Sequence, residues 1–133
     1  HDRKGVLDGV PDSLPSLVKA YRMQEKAAGV GFDWDHTAGV MQKIEEELQE
    51  FYDEVDRNDK SSAELEFGDL LFSLVNYARF IGINPDDALS RTNQKFRSRF
   101  VEMEKKISER QINMNQLKLD DWEKLWQEVK SET

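Results

Sequence analysis

Leu14, Leu17, Val18 and Tyr21 step along the chain by three and four positions, as do Met41, Ile44, Leu48, Phe51 and Val55 further on. That is the spacing of one face of an α-helix. The first set predicts a helix from about Leu14 to Ala28, capped by Asp12 or Ser13, with Pro15 near its first turn and Gly29 just past its end. The second predicts a helix that is capped by Asp35 or Thr37 and ends near Asp56, with Glu47 beside its apolar stripe and Glu46 on the far side. Between them the Gly-rich turn 29–34 carries Phe32 and Trp34, read as packing anchors in preference to a ring-stacking surface. Ser61 with Glu64 fits a capping box for a third helix. From Leu70 to Ile81 this helix is apolar over most of its circumference, so it is expected to be the central buried one. Asn84 to Asp87 supply a cap, a Pro at the first position and early acids for a fourth, from about Pro85 to Glu109. Its inner side is marked by Leu89, Thr92, Phe96, Phe100, Met103 and Ile107. Residues 111–119 read as a loop, and Asp120 with Glu123 can cap a short last helix whose apolar face is Trp122, Leu125, Trp126 and Val129.

The fold class is therefore all-α, a helical bundle of about four main helices plus a short C-terminal one. Residues 1–12 show no period and read as an arm or linker, leaving 13–133 as a single domain. With 27 Asp and Glu against 19 Lys and Arg the chain is acidic, which argues against non-specific nucleic-acid binding. It has no Cys, which excludes a disulfide scaffold, a thiolate metal site and a Cys nucleophile. No apolar run long enough to span a membrane and no signal-type segment is present, so a cytoplasmic protein is expected. The chain opens on His1 and not Met, which suggests a piece of a longer protein with an amino-terminal domain missing.

The polar exceptions on the third helix carry the chemistry. Glu66, Asp69, Ser73 and Asn76 fall within about 80° of one another at 3.6 residues per turn. A polar stripe on the most apolar helix is a poor solvent face, and carboxylates near a core are kept there by pairing or by a cation. Glu47 and Glu50 stand at the same three-residue spacing on the preceding helix, which a short turn makes an antiparallel neighbour. Four oxygen donors of this kind suit Mg²⁺ or Mn²⁺. A di-iron carboxylate bundle needs Glu-x-x-His on its helices, and the only histidines are His1 and His36. Lys95 and Arg99, one turn apart, are either surface charges or a clamp for phosphate oxygens.

Glu47-x-x-Glu50, a gap of 15 residues, then Glu66-x-x-Asp69 resembles the paired acidic signature of MazG-type nucleoside triphosphate pyrophosphohydrolases. The resemblance extends through Gly9-Val10-Pro11, Val30-Gly31-Phe32-Asp33-Trp34, Gly68-Asp69-Leu70-Leu71-Phe72, Lys95-Phe96-x-x-Arg99-Phe100 and Trp126-x-x-x-Lys130. It covers nearly the whole chain and is greatest to the carboxy-terminal domain of the two-domain MazG proteins. It implies an all-α, Mg²⁺-dependent enzyme, completed by homodimerisation, that splits nucleoside triphosphates with broad base tolerance into the monophosphate and pyrophosphate, as a pool-sanitising activity would. On that pattern Glu47, Glu50, Glu66 and Asp69 are metal-site acids, one of which, Glu50 for example, can serve as the base. Lys95, Arg99, Trp126 and Lys130 are substrate positions, and Asn76, on the acidic stripe, is a candidate hydrogen-bonding partner for sugar or base. The alternatives are a non-catalytic dimeric acidic helical module and a narrow-specificity hydrolase of dUTP, dCTP or a guanosine alarmone.

Overall fold

The computed structural model describes residues 5–132, and the part of the amino-terminal arm in residues 1–4 lies outside them. Every regular element among them is helical: a 3-10 turn at Val6–Gly9, α1 at Ser16–Gly29, α2 at Thr37–Asp56, α3 at Lys60–Phe80, α4 at Pro85–Glu109, a 3-10 turn at Met114–Gln116 and α5 at Leu119–Glu132. No helix among the described residues is long and apolar enough to cross a membrane.

The helices fall where their periods place them, but several caps differ from expectation. Pro15 precedes α1 at the N-cap position and makes no side-chain cap bond. His36, not Asp35 or Thr37, caps α2, its Nδ1 accepting from the Gly39 amide at 3.1 Å. Asp59 caps α3 by accepting from the Ser62 amide and hydroxyl, which displaces the expected Ser61 and Glu64 box. A carboxylate one residue into the turn reaches both Ser62 donors, and Asn58 makes the turn tight by taking a left-handed φ of 57°. At α5 the Asp121 carboxylate reaches back to the Lys118 amide, the role assigned to Asp120 and Glu123.

The chain forms two compact units that divide at Asp87 and Ala88. In the first, α2 and α3 pair along their lengths, α1 lies against α3, and the 3-10 turn at Val6–Gly9 lies against α1. The face that α2 buries is not the stripe the sequence suggests. Val40 and Glu47 are its buried residues, with Ile44 and Phe51 half-buried, while Met41, Leu48 and Val55 are exposed. The helix is thus rotated by about 70° at 3.6 residues per turn, bringing Glu47 from the edge to the middle of the packed face. Nor is α3 covered all round. Leu70, Ser73 and Val75 are buried, but Leu65, Phe67, Leu71, Phe72 and Leu74 are exposed. Two helical neighbours cover only part of an apolar cylinder, so its remaining face stays open.

The second unit closes a small core of Met103, Ile107, Leu125 and Val129, against which Phe100, Leu117, Trp122 and Trp126 pack. Only the later part of the α4 stripe enters it. Leu89, Thr92 and Phe96 are exposed, Phe96 with 57% of its surface free. Arg110 reaches Glu128, while Lys106 stands 3.4 Å from Glu128 and 3.0 Å from Glu132, so charged pairs line the flank of this core.

Candidate metal centre and adjoining cavity

One turn of α2 and one turn of α3 bring three acids to a point. One oxygen from each of Glu47, Glu66 and Asp69 lies within 4.8 Å of the other two. Mg²⁺ holds its ligands at about 2.1 Å, so two opposed oxygens stand about 4.2 Å apart. Glu47 is only 4% exposed. Its Oε1 receives the Lys43 ammonium at 2.8 Å, one helical turn earlier, and this contact raises the Lys43 pKa. Its Oε2 is buried without a partner, and so is Oε2 of Glu66. Orphaned buried carboxylate oxygens are costly, and three carboxylates gathered this closely are the donor chemistry of a hard divalent cation. The residues present therefore fit Mg²⁺ or Mn²⁺.

Glu50 is not in that trio, but it adjoins Glu66. Desolvation raises the Glu66 pKa first, and the neighbouring carboxylates of Glu50, Asp69 and Glu47 raise it further. All four predicted acids thus act on one another, with three converging and the fourth beside them. Glu46, read as solvated, is exposed.

Lys43 also lines a cavity of about 590 Å³ bounded by α1, the loop after it, and α3. Its walls include Met23, Ala27, Phe32, Trp34 and Phe72, together with Gln24, Ser73 and Asn76. Trp34 keeps its place through Gly39, where any Cβ would meet the indole at 3.0 Å. Gly31, with φ +103°, turns the loop in a way an L side chain resists. Phe32, expected to be a packing anchor, is 82% exposed. Asp33 is held by Arg79, whose Nη1 donates to Oδ2 at 3.3 Å and whose Nη2 donates to Oδ1, and this bond holds the Asp33 carboxyl below its usual range. The same Nη2 donates to Asn76 Oδ1 at 2.9 Å. Of the residues singled out from sequence, Asn76 therefore belongs to the cavity wall and not to the acid trio.

The remaining substrate positions lie in the second unit. The Arg99 guanidinium carbon sits 5.3 Å from the centre of the Trp126 ring, which also meets Phe96 at 5.7 Å. Lys95 precedes Arg99 by one turn and is exposed, and Lys130 follows Trp126 by one turn.

Sequence reasoning passed over Lys43, Gln24 and Arg79, and named Asp33 only as part of the turn motif. Two of these had a signal: Lys43 is four residues before Glu47, the spacing of a helical ion pair, and Arg79 follows Asn76 by three. Gln24 contacts a carbonyl 48 residues away, a pairing no local pattern encodes.

A helical chain with three clustered carboxylates beside a cavity of this size has the donor set of a hard-cation site. The chain belongs to the MazG nucleotide pyrophosphohydrolase domain family, whose model matches residues 36–111. It is 40% identical over 126 residues, 93% of this chain and 48% of the relative, to a nucleoside triphosphate pyrophosphohydrolase of Escherichia coli K12. A nucleoside triphosphate pyrophosphohydrolase/pyrophosphatase MazG of Thermotoga maritima is 41% identical over 117 residues, 88% of this chain and 45% of the relative. A Bacillus subtilis protein called YabN is 45% identical over 126 residues, 94% of this chain and 26% of the relative. The chain therefore spans about half the length, or less, of the curated relatives it matches.

Proposed function

We propose that residues 13–133 act as one catalytic domain that hydrolyses nucleoside triphosphates to the monophosphate and pyrophosphate in a Mg²⁺-dependent reaction of broad base tolerance. The observation that carries this reading is the trio of Glu47, Glu66 and Asp69, with two buried oxygens lacking partners. These three residues would hold the cation. When bound, Mg²⁺ supplies charge neutralisation on the phosphates and acidifies a bound water. Glu50, beside Glu66, accepts the proton of the attacking water. The water oxygen forms a bond to the α or β phosphorus and the bond from that phosphorus to the α–β bridging oxygen breaks, so that pyrophosphate is the leaving group after attack at α and the nucleoside monophosphate after attack at β. Lys95, Arg99 and Lys130 offset the charge gathered on the phosphates, Trp126 packs beside the nucleotide, and Asn76 hydrogen-bonds its sugar or base.

Two copies associate in this reading. The exposed apolar residues Leu48 and Val55 of α2 and Leu65 and Leu71 of α3 support a homodimer, since apolar surface of that extent marks an interface. Incubation with each of the eight common nucleoside triphosphates and Mg²⁺ tests the activity. Monophosphate and pyrophosphate in equal amounts from several of them is the expected result. An acidic helical module without activity would release none, and a narrow hydrolase would act on one.

A further inference from the structure

The acids of α2 and α3 face a difficulty before any cation arrives. Glu47, Glu66 and Asp69 bring an oxygen each within 4.8 Å of the others, and the charge of Glu50 acts on Glu66 beside them. Like charges held this close repel, and the more so away from water. We propose that the Lys43 ammonium is the resident counter-ion of this site, holding Glu47 in the metal-free chain and giving way when a divalent cation binds. This rests on the cation reading of the trio and goes beyond it by giving Lys43 a role opposed to the metal.

Position is the first support. Lys43 precedes Glu47 by one turn of α2, and its Nζ lies 2.8 Å from Oε1. Among the described residues no other ammonium or guanidinium makes an ion pair with any of the four acids. The charges of Glu46 and Glu50 act on this ammonium too. One cation thus balances a group of carboxylates drawn from two helices.

Burial is the second. The Glu47 side chain is only 5% exposed, and a buried charge stripped of its partner is strongly destabilising. The Lys43 side chain keeps 44% of its surface in contact with solvent. A lysine head is a strongly hydrated point charge on a flexible stem, so it can return to water while Glu47 cannot.

Two cations then compete for one carboxylate. Oε1 of Glu47 carries the ammonium, and Oε2 has no partner. A divalent ion gathered by Glu47, Glu66 and Asp69 would share Glu47 with a like charge, in surroundings that screen poorly. The flexible partner is the one that leaves. The same contact that steadies Glu47 in the metal-free chain therefore weakens its hold on the metal.

Lys43→Met keeps most of the stem and removes the charge. In Mn²⁺ paramagnetic resonance on the full chain it is expected to bind the ion about fivefold more tightly than the wild type, while the metal-free melting temperature falls by roughly 4 °C. Lys43→Arg, which keeps the charge, should return both toward wild-type values. Adding Glu47→Gln to Lys43→Met should recover the lost melting temperature, because the charge that needed balancing is gone. No recovery would mean that the lysine serves only to pack its stem, and the proposal would fall. Lys105→Met removes the same charge from the exposed pair with Glu102 and should leave Mn²⁺ affinity unchanged. An equal gain there would reduce the effect to net charge and overturn the proposal. If Lys43→Met does not fold without metal, Mn²⁺ should restore its helical circular dichroism, and failure to do so counts against the counter-ion role. Weaker Mn²⁺ binding by Lys43→Met would make the lysine a support of the metal ligand instead. A wild type that binds no Mn²⁺ sinks the cation site itself, whereas wild-type binding that Lys43→Met leaves unchanged sinks the counter-ion alone.

Discussion

The two units of this chain are built from similar helices and spend their interiors differently. In the second, the buried residues are all apolar, Met103, Ile107, Leu125 and Val129, and the charges of Lys106, Arg110 and Glu128 are paired along the flank. In the first, Gln24, Glu47 and Ser73 are buried beside only Val40, Leu70 and Val75. A core that gives space to unpartnered carboxylate oxygens gives up stability for chemistry. The first unit therefore reads as the place of the acids, and the second as an apolar core that carries the proposed substrate positions Lys95, Arg99, Trp126 and Lys130.

That contrast can be broken at several strengths. Glu47→Gln or Asp69→Asn should lower pyrophosphate release by on the order of 10³-fold, about 4 kcal/mol, without lowering the metal-free melting temperature. A melting temperature that fell with activity would make Glu47 a structural residue. Leu125→Ala in the second unit should show the opposite pattern, losing about 2–5 kcal/mol in denaturant unfolding. A near-neutral result there would mean that this core contributes little.

Acid titration separates the units more finely, because the signs differ. Glu66 has a raised folded pKa, so the folded state takes up a proton before the unfolded chain does, and stability falls as pH rises from the ordinary Glu value through the raised one. The metal-free protein should thus gain melting temperature on mild acidification from neutral pH, a gain that Glu66→Gln removes. Glu128 has a lowered folded pKa because Arg110 and then Lys106 hold its charged form. Its contribution is present above the ordinary Glu value and is lost as pH falls through the lowered one. Glu128→Gln should produce the smallest effect, a slight loss at neutral pH that vanishes in acid, since exposed pairs are screened by solvent.

Helix periods made the fold legible. The cap and proline at Asn84 and Pro85 and the periodic stripe that follows mark α4 at the bounds it has, Pro85–Glu109. Period does not fix phase, however, when a helix carries two apolar flanks. Met41, Leu48 and Val55 make as good a stripe as Val40, Ile44 and Phe51, and only the packing of α2 on α3 decides between them. Glu47, Glu66 and Asp69 were legible because three-residue spacing on adjacent antiparallel helices brings acids together whatever the exact rotation. The cavity was not. Its walls come from Met23, the loop at Phe32 and Trp34, and Asn76 on α3, joined by the Gln24 to Phe72 bond that spans 48 residues.

The claim that the acids of the first unit form one divalent-cation site is tested most directly by Mn²⁺ paramagnetic resonance on the wild type and on Glu47→Gln, Glu66→Gln and Asp69→Asn. Saturable binding by the wild type, weakened at least tenfold by each single change, is the predicted result. Mn²⁺ binding that is absent from the wild type, or indifferent to all three substitutions, would contradict it.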